Sequence, residues 1–199
     1  MILTSDFFIM QNDIEILQLF PTSLCSINLP EMVSDFWEKQ VQNENFYTEG
    51  DNPHWQTERT ILENNLEMKE FFLVVVKDCL DQLGYVDQKF KITTSWLTAT
   101  ESKTSPLYHN HMNSWYSCVY YFQDSCSDII FKNWNKRDIL VIPTKVSVFN
   151  MYEWNISPQK NQFIMFPSNL YHKISENTSN VTRHSLAFNI MPSGKVGHA

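Results

Sequence analysis

Between Gly84 and Lys89 the spacing of apolar residues changes from the period of a helix to that of a strand, and this change constrains the fold more than any other feature. Ahead of it, Phe72, Val75, Val76, Cys79, Leu80 and Leu83 recur at the three- and four-residue intervals of one helix face, with Gly84 placed as a stop. A second amphipathic helix is predicted in "PEMVSDFWEKQVQN", where Val33, Phe36, Trp37 and Val41 share a side and Pro30 stands near the start. After the change, Phe90, Ile92, Thr94 and Trp96 alternate with Lys91, Thr93, Ser95 and Leu97, which predicts a strand with one set on each face. Short β-like runs follow in "SCVYYF", "DIIFKNW", "DILVIPTK", "NQFIMFP", "LYHKISE" and "RHSLAFNIM". From Lys89 onward this gives about seven strands and one more leading into His109, a mainly β chain with flanking helices (α+β) built as a sandwich or barrel. The expected organisation is a single domain over residues 1–199, helical to about residue 88, with its β core from about 89 to 192.

At 199 residues with 43% hydrophobic content, one sizeable core can form. A formal net charge of -7 lacks the positive footprint needed to neutralise nucleic-acid phosphates or anionic lipid, so neither is an expected partner. Cys25, Cys79, Cys118 and Cys126 form no CxxC pair and read as reduced thiols. The first twenty residues contain no Lys or Arg, and no apolar run approaches the ~20 residues of a membrane span, so a cytoplasmic protein is expected. The sequons at Asn155, Asn177 and Asn180 are then chance matches in an Asn- and Ser-rich chain.

Two of the six histidines stand together in "YHNHMNSWYSCVYYF". In an extended segment His109 and His111 would face the same way, making half a metal site; a polar loop with both rings in water is the plainer alternative. In "FPSNLYHKISENTSNVTRHSLAFNI" a third histidine, His172, is followed by Arg183 and Ser185. Along that strand Arg183, Ser185, Ala187 and Asn189 share one face and Leu186, Phe188 and Ile190 the other, so Arg183 either meets solvent or lines a cavity.

HxH, a distal His and then RxS together resemble the non-haem iron, 2-oxoglutarate-dependent oxygenases, whose pattern is HxD/E, His and Arg. The nearer resemblance is to a branch of 2-oxoglutarate/Fe(II) oxygenases common in bacteria and marine phages, with motifs like HxHxNSxxSGVYY and FPSxxxH. Here these stand as "HNHMNSWYSCVYY" and "FPSNLYH", with weaker likeness at "SWLT" (Ser95 to Thr98) and "LFPT" (Leu19 to Thr22). The chain departs from the wider pattern in having His111 at the carboxylate position, and from the branch in having Cys118 for a glycine.

The resemblance implies a double-stranded β-helix (jelly-roll, cupin-like) core and an oxidoreductase that hydroxylates a substrate while converting 2-oxoglutarate and O2 into succinate and CO2. It implies Fe(II) on His109, His111 and His172, and 2-oxoglutarate on Arg183 and Ser185, with Asn113 and Tyr121 near enough to contact either co-substrate or substrate. An Arg fork suits a carboxylate, and one face of the iron must stay open. Two alternatives stay open for the third ligand: His111 only supports the site and a water or anion completes it, or Asp124 or Asp128 reaches in, although neither spacing recommends it. The expected partner is a small-molecule or protein substrate, a homodimer is left open, and the branch would place the chain in a bacterial cytoplasm, phage-infected where the source is a phage. Of the other histidines, His54 and His198 have no partner in sequence, and His184 is expected to be hydrogen-bonded structure. Trp115 and Trp134 are candidates for the substrate mouth. Two other readings stay open: a three-histidine iron dioxygenase that does not use 2-oxoglutarate, and a catalytically degenerate β-helix that binds a ligand or partner.

Overall fold

The computed structural model describes residues 15–48, 54–124, 127–133 and 142–196. Cys126, Trp134, His198 and the start of "DILVIPTK" lie outside them. The described elements are β1 (Cys25–Asn28), α1 (Glu31–Gln40, continued by a 3-10 turn Val41–Asn43), β2 (Tyr47–Thr48), β3 (Trp55–Gln56), α2 (Leu66–Gln82), β4 (Phe90–Thr100), β5 (Tyr116–Tyr121), β6 (Ile129–Lys132), β7 (Glu153–Ile156), β8 (Gln162–Pro167), β9 (His172–Ile174) and β10 (Arg183–Pro192).

Helix α2 buries Phe72, Val75, Val76, Cys79 and Leu80 of the stripe read from the sequence, together with Met68, while Leu83 caps the helix half-buried. It ends at Gly84, whose φ of 87° is a left-handed conformation that glycine adopts without a Cβ clash. The amides of Gly84 and Tyr85 donate to the carbonyls of Asp81 and Leu80, closing the last turn as a Schellman motif. Helix α1 starts directly after Pro30 and buries Val33 and Trp37.

The strands form two antiparallel sheets, a seven-stranded one in the order β1-β8-β5-β10-β4-β3-β2 and a three-stranded one in the order β7-β6-β9. One face of the large sheet carries Cys118, Tyr120, Phe163, Met165, Leu186 and Phe188 against the helices. Phe72 is the centre of that layer, with ring centroids 5.6 Å from Tyr120, 6.1 Å from Phe163 and 5.3 Å from Phe188. Burying a side chain of this size is worth about 1.5–3 kcal/mol. Cys118 is fully buried here, opposite Cys79 of α2, so the thiol fills a packed position where the branch has glycine. The other face meets the small sheet through Tyr121, Ile164 and Phe166 on one side and Ile129 and Phe131 on the other.

Several strand expectations are corrected. Phe90, Ile92, Thr94 and Trp96 do not share a face: a bulge between Asn189 and Ile190 pairs Asn189 with Thr94 and Ile190 with Ile92, leaving Thr93 as the extra residue. Ile92 therefore packs toward the helices beside Leu97, while Trp96 pairs with Ala187 on the opposite face. No strand leads into His109, which makes a single isolated bridge to His172. Ile142–Lys145 of "DILVIPTK" is irregular, and the strand in this part of the chain is β7, whose Glu153–Asn155 are exposed and carry no alternation. Three short strands, β1, β2 and β3, also join the sheet from before Lys89. Among the described residues no helix is long and apolar enough to cross a membrane.

Candidate metal centre

His172 opens β9, and its amide and carbonyl pair reciprocally with those of His109, at 2.9 and 3.0 Å. His111 is held differently: its amide donates to the carbonyl of Ser168 at 2.8 Å, and its own carbonyl accepts from Ser114 at 2.9 Å as the chain turns toward β5. Ser168 is fully buried and tied by its hydroxyl to Ser117 (2.9 Å), which donates to Asn189 (2.8 Å), which donates to Thr94 (3.2 Å). A continuous polar chain thus runs from β4 across β10 and β5 to the carbonyl that fixes His111. Buried hydroxyls and amides are stable there because each finds a partner.

The three rings converge. Their centroids lie 4.5 Å apart for His109 and His172, 5.1 Å for His109 and His111, and 5.4 Å for His111 and His172. One ring nitrogen from each lies within 4.8 Å of the others, and no carboxylate belongs to this group among the described residues. Nδ1 of His109 is 3.0 Å from the carbonyl of Leu107, and Nδ1 of His172 is 2.9 Å from that of Leu170. A carbonyl only accepts, so both Nδ1 atoms carry the hydrogen and both Nε2 atoms present a lone pair. Phe166 and Phe131 pack on the His172 ring at 4.8 and 6.2 Å. Burial, with His109 nearby, pushes the His172 pKa down to about 3; burial, His109 and Arg59 push His111 down to about 4. Neutral, convergent nitrogens are the donor chemistry that a divalent transition metal takes.

Arg183 is 3% exposed, and its guanidinium lies over the Tyr121 ring at 5.4 Å from the centroid. Burial raises the Tyr121 hydroxyl to about 12, with the Arg183 charge acting against that rise. Ser185 is buried on the same strand, its hydroxyl 2.7 Å from that of Thr98. The solvent-facing alternative for Arg183 is thereby removed. Asn113 is exposed in the turn after His111. Asp124 is exposed, Asp128 accepts a 2.6 Å hydrogen bond from Ser157, and neither joins the histidines.

Trp115 stacks edge-on with Tyr85 and Tyr116 at the helix-side core, which corrects its candidacy for the mouth. His184 is not hydrogen-bonded through Nδ1 among the described residues; its ring packs against Phe46 at 5.5 Å, and burial lowers its pKa. The sequence reading missed three residues. His54 lies across β4 from Arg183, its Nδ1 3.4 Å from the Thr100 hydroxyl, and Thr100 pairs with Arg183. Arg59 stacks on Trp96 at 5.5 Å, and Trp96 lies 5.8 Å from His111. Tyr108 donates to Glu153 at 2.6 Å and is flanked by the ammonium groups of Lys173 and Lys132 at 4.7 and 5.3 Å, anchoring the segment that carries His109. Only the strand pairings bring these residues together, so no spacing announces them.

Residues 94–189, which contain all three histidines, Arg183 and Ser185, match the family model described as "Putative 2OG-Fe(II) oxygenase". No curated protein matches the sequence. Among solved structures, HygX from Streptomyces hygroscopicus, with nickel, 2-oxoglutarate and hygromycin B bound, aligns with a TM-score of 0.65 at 9% identity, covering 86% of this chain and 84% of that one. A prolyl hydroxylase from Trichoplax adhaerens, in complex with a hypoxia inducible factor peptide, aligns with a TM-score of 0.59 at 15% identity over 85% and 83% of the two chains. A Pseudomonas putida prolyl-4-hydroxylase aligns with a TM-score of 0.56 at 10% identity over 87% and 94%. At these identities the likeness is one of fold, a jelly-roll core of two facing antiparallel sheets. Through residues 94–189, this chain is similar to the 2OG-Fe(II) oxygenase family.

Proposed function

We propose that the protein is a non-haem Fe(II) dioxygenase in which His109, His111 and His172 hold the metal and Arg183 with Ser185 receives 2-oxoglutarate. The observation that carries this reading is the pairing of three converging imidazoles with a buried arginine, all within the residues that match the family model. When bound, Fe(II) would supply O2 activation coupled to decarboxylation of 2-oxoglutarate to succinate, with hydroxylation of the substrate as the outcome.

The Leu107 and Leu170 carbonyls hold His109 and His172 in the tautomer that offers Nε2, which removes the cost of reorienting either ring on metal binding. His111 would supply a neutral donor where the wider family has a carboxylate, so the three imidazoles would bring no negative charge to a bound metal. Arg183, desolvated against Tyr121, presents a planar fork for the distal carboxylate of the co-substrate, and the Ser185 hydroxyl adds a donor on the same face. Phe131 and Phe166 form an apolar wall beside His172 that excludes water.

The three-histidine dioxygenase without 2-oxoglutarate accounts for the imidazoles but gives Arg183 and Ser185 no task. HygX holds hygromycin B and the Trichoplax enzyme a peptide. This architecture therefore suits either a small-molecule or a protein substrate, here acted on in the cytoplasm by a monomer or homodimer. The direct test is succinate formation from 2-oxoglutarate by the full chain with Fe(II) and ascorbate in air. Iron-dependent succinate that disappears in His172→Ala supports the reading. An iron-saturated protein that leaves 2-oxoglutarate unconsumed contradicts it and favours the degenerate β-helix.

A further inference from the structure

Ser117 and Ser168 stand in the two segments that carry the histidines, "HNHMNSWYSCVYY" and "FPSNLYH", yet neither holds metal or co-substrate in the reading above. Both are buried, Ser117 at 3% exposure and Ser168 at 0%. Ser117 pairs with Phe166, which belongs to the apolar layer facing the small sheet. A buried hydroxyl is costly in such a layer unless it is hydrogen-bonded, and an apolar side chain would carry no such cost.

The hydrogen bonding has a direction. The Ser117 hydroxyl donates to Oδ1 of Asn189 at 2.8 Å, and having a single hydrogen it must accept from Ser168, 2.9 Å away. Asn189 donates through Nδ2 to the Thr94 hydroxyl at 3.2 Å. Asn189 is itself held by the bulge: the hydroxyl of Thr93, the extra residue, donates to its carbonyl at 3.3 Å. A buried polar network in which every link is made rigidifies the elements it joins. Ser168 is thereby left one orientation.

What Ser168 orients is the metal centre. Its carbonyl accepts the amide of His111 at 2.8 Å and its amide donates to the carbonyl of Trp115 at 3.1 Å, so one residue spans the turn that begins at His111. The Trp115 amide donates in turn to the carbonyl of Ile190, next to Asn189 on β10, at 2.9 Å. Further along from Ser168, His172 pairs with His109 through the main chain. His109 and His172 therefore hold each other, whereas His111 is placed through Ser168.

Resting on the metal set proposed above, we infer that Ser168, Ser117 and Asn189 are positioning residues of that centre. Their hydrogen-bonded chain, from β4 through β10 and β5, fixes where the His111 ring stands relative to the His109 and His172 pair. Opening the chain frees His111 and leaves the other two imidazoles in place.

The test uses the full chain loaded with Co(II), whose visible bands report the number and arrangement of bound imidazoles. Wild type is compared with His111→Ala, Ser168→Ala, Ser117→Ala and the double serine variant. Either serine variant should weaken Co(II) binding roughly 10–100-fold and move the bands of the loaded protein toward those of His111→Ala. Because both serines lie on one chain, the double variant should lose no more affinity than the more affected single one. A role in folding alone would lower the denaturant midpoint of the metal-free protein and leave the bands of the loaded protein at their wild-type positions. That result, or additive losses in the double variant, would overturn the inference. Thr94→Val opens the same chain at its half-buried end and decides the matter should the interior variants not fold: bands unchanged in it overturn the inference, and bands moved toward those of His111→Ala support it. A wild type that takes up no Co(II), or whose bands His111→Ala leaves in place, defeats the metal set itself. Bands that respond to His111→Ala and to neither serine variant defeat only the role of the serines.

Discussion

His109 and His172 hold each other through two main-chain hydrogen bonds, 3.0 and 2.9 Å long, in an isolated bridge outside any continuous ladder between their segments. The backbone, not the side chains, therefore brings the two imidazoles together, tilted at 53° to each other. In His172→Ala the bridge persists while one ligand is lost. Iron occupancy, measured by metal analysis after anaerobic loading, should collapse, while the metal-free protein should lose no more than about 2 kcal/mol. Occupancy equal to wild type would remove His172 from the metal set.

His111 stands where the wider family has a carboxylate, and its amide is pinned to Ser168 independently of its ring. His111→Ala should lose iron affinity by more than the ~10–100-fold typical of a residue that only steers a ligand. His111→Asp should keep iron and retain or raise succinate formation, since a carboxylate lowers the charge at the metal. Paired metal titrations and turnover of the two variants check this, and wild-type iron binding by His111→Ala would show that the ring is not a ligand.

On the proposed function Arg183 has a role separate from that of the histidines, so its effects should separate too. Arg183→Leu should weaken 2-oxoglutarate by roughly 2–5 kcal/mol, the cost of leaving a buried carboxylate without its partner. Iron binding should be unchanged. A co-substrate affinity equal to wild type, read by titration of the metal-loaded variant, would contradict the assignment.

The fold carries an acid sensitivity of known sign. Folded-state pKa values of about 3 for His172 and about 4 for His111 and His54 lie below the ordinary histidine value of 6.5, so the unfolded chain binds more protons between those limits. The stabilising contribution is complete above pH 6.5 and is lost as pH falls toward 4. Denaturant midpoints of the metal-free protein should drop between pH 7 and 4, whereas a flat profile would contradict the burial of these rings.

What could be read from the sequence divides along physical lines. Helix α2 announces itself because Phe72, Val75, Val76, Cys79 and Leu80 face one layer and Gly84 ends the helix in a conformation other residues resist. Strand β10 does so because Leu186, Phe188 and Ile190 are buried against the helices while Arg183, Ser185 and Asn189 face the other way. The bulge at Thr93 is silent, since one extra residue leaves no mark on composition yet moves Ile92 and Trp96 to opposite faces. Strand β7 is silent because exposed Glu153, Trp154 and Asn155 give no alternation to detect. His54, Arg59 and Tyr108 enter the surroundings of the site through a two-residue strand, a stacking contact and a clamp from two other strands, none of which has a local signature.

The most direct measurement is the visible spectrum of the anaerobic Fe(II) protein titrated with 2-oxoglutarate. Chelation of the metal by the keto and carboxylate oxygens would give a metal-to-ligand charge-transfer band only if the three histidines leave adjacent positions open, and Arg183 on the far carboxylate would set the concentration at which the band appears. A saturable band in wild type, absent in His172→Ala and shifted to higher 2-oxoglutarate concentration in Arg183→Leu, is the expected result. No band at saturating 2-oxoglutarate in an iron-loaded wild type would contradict the assignment of this centre to 2-oxoglutarate chemistry.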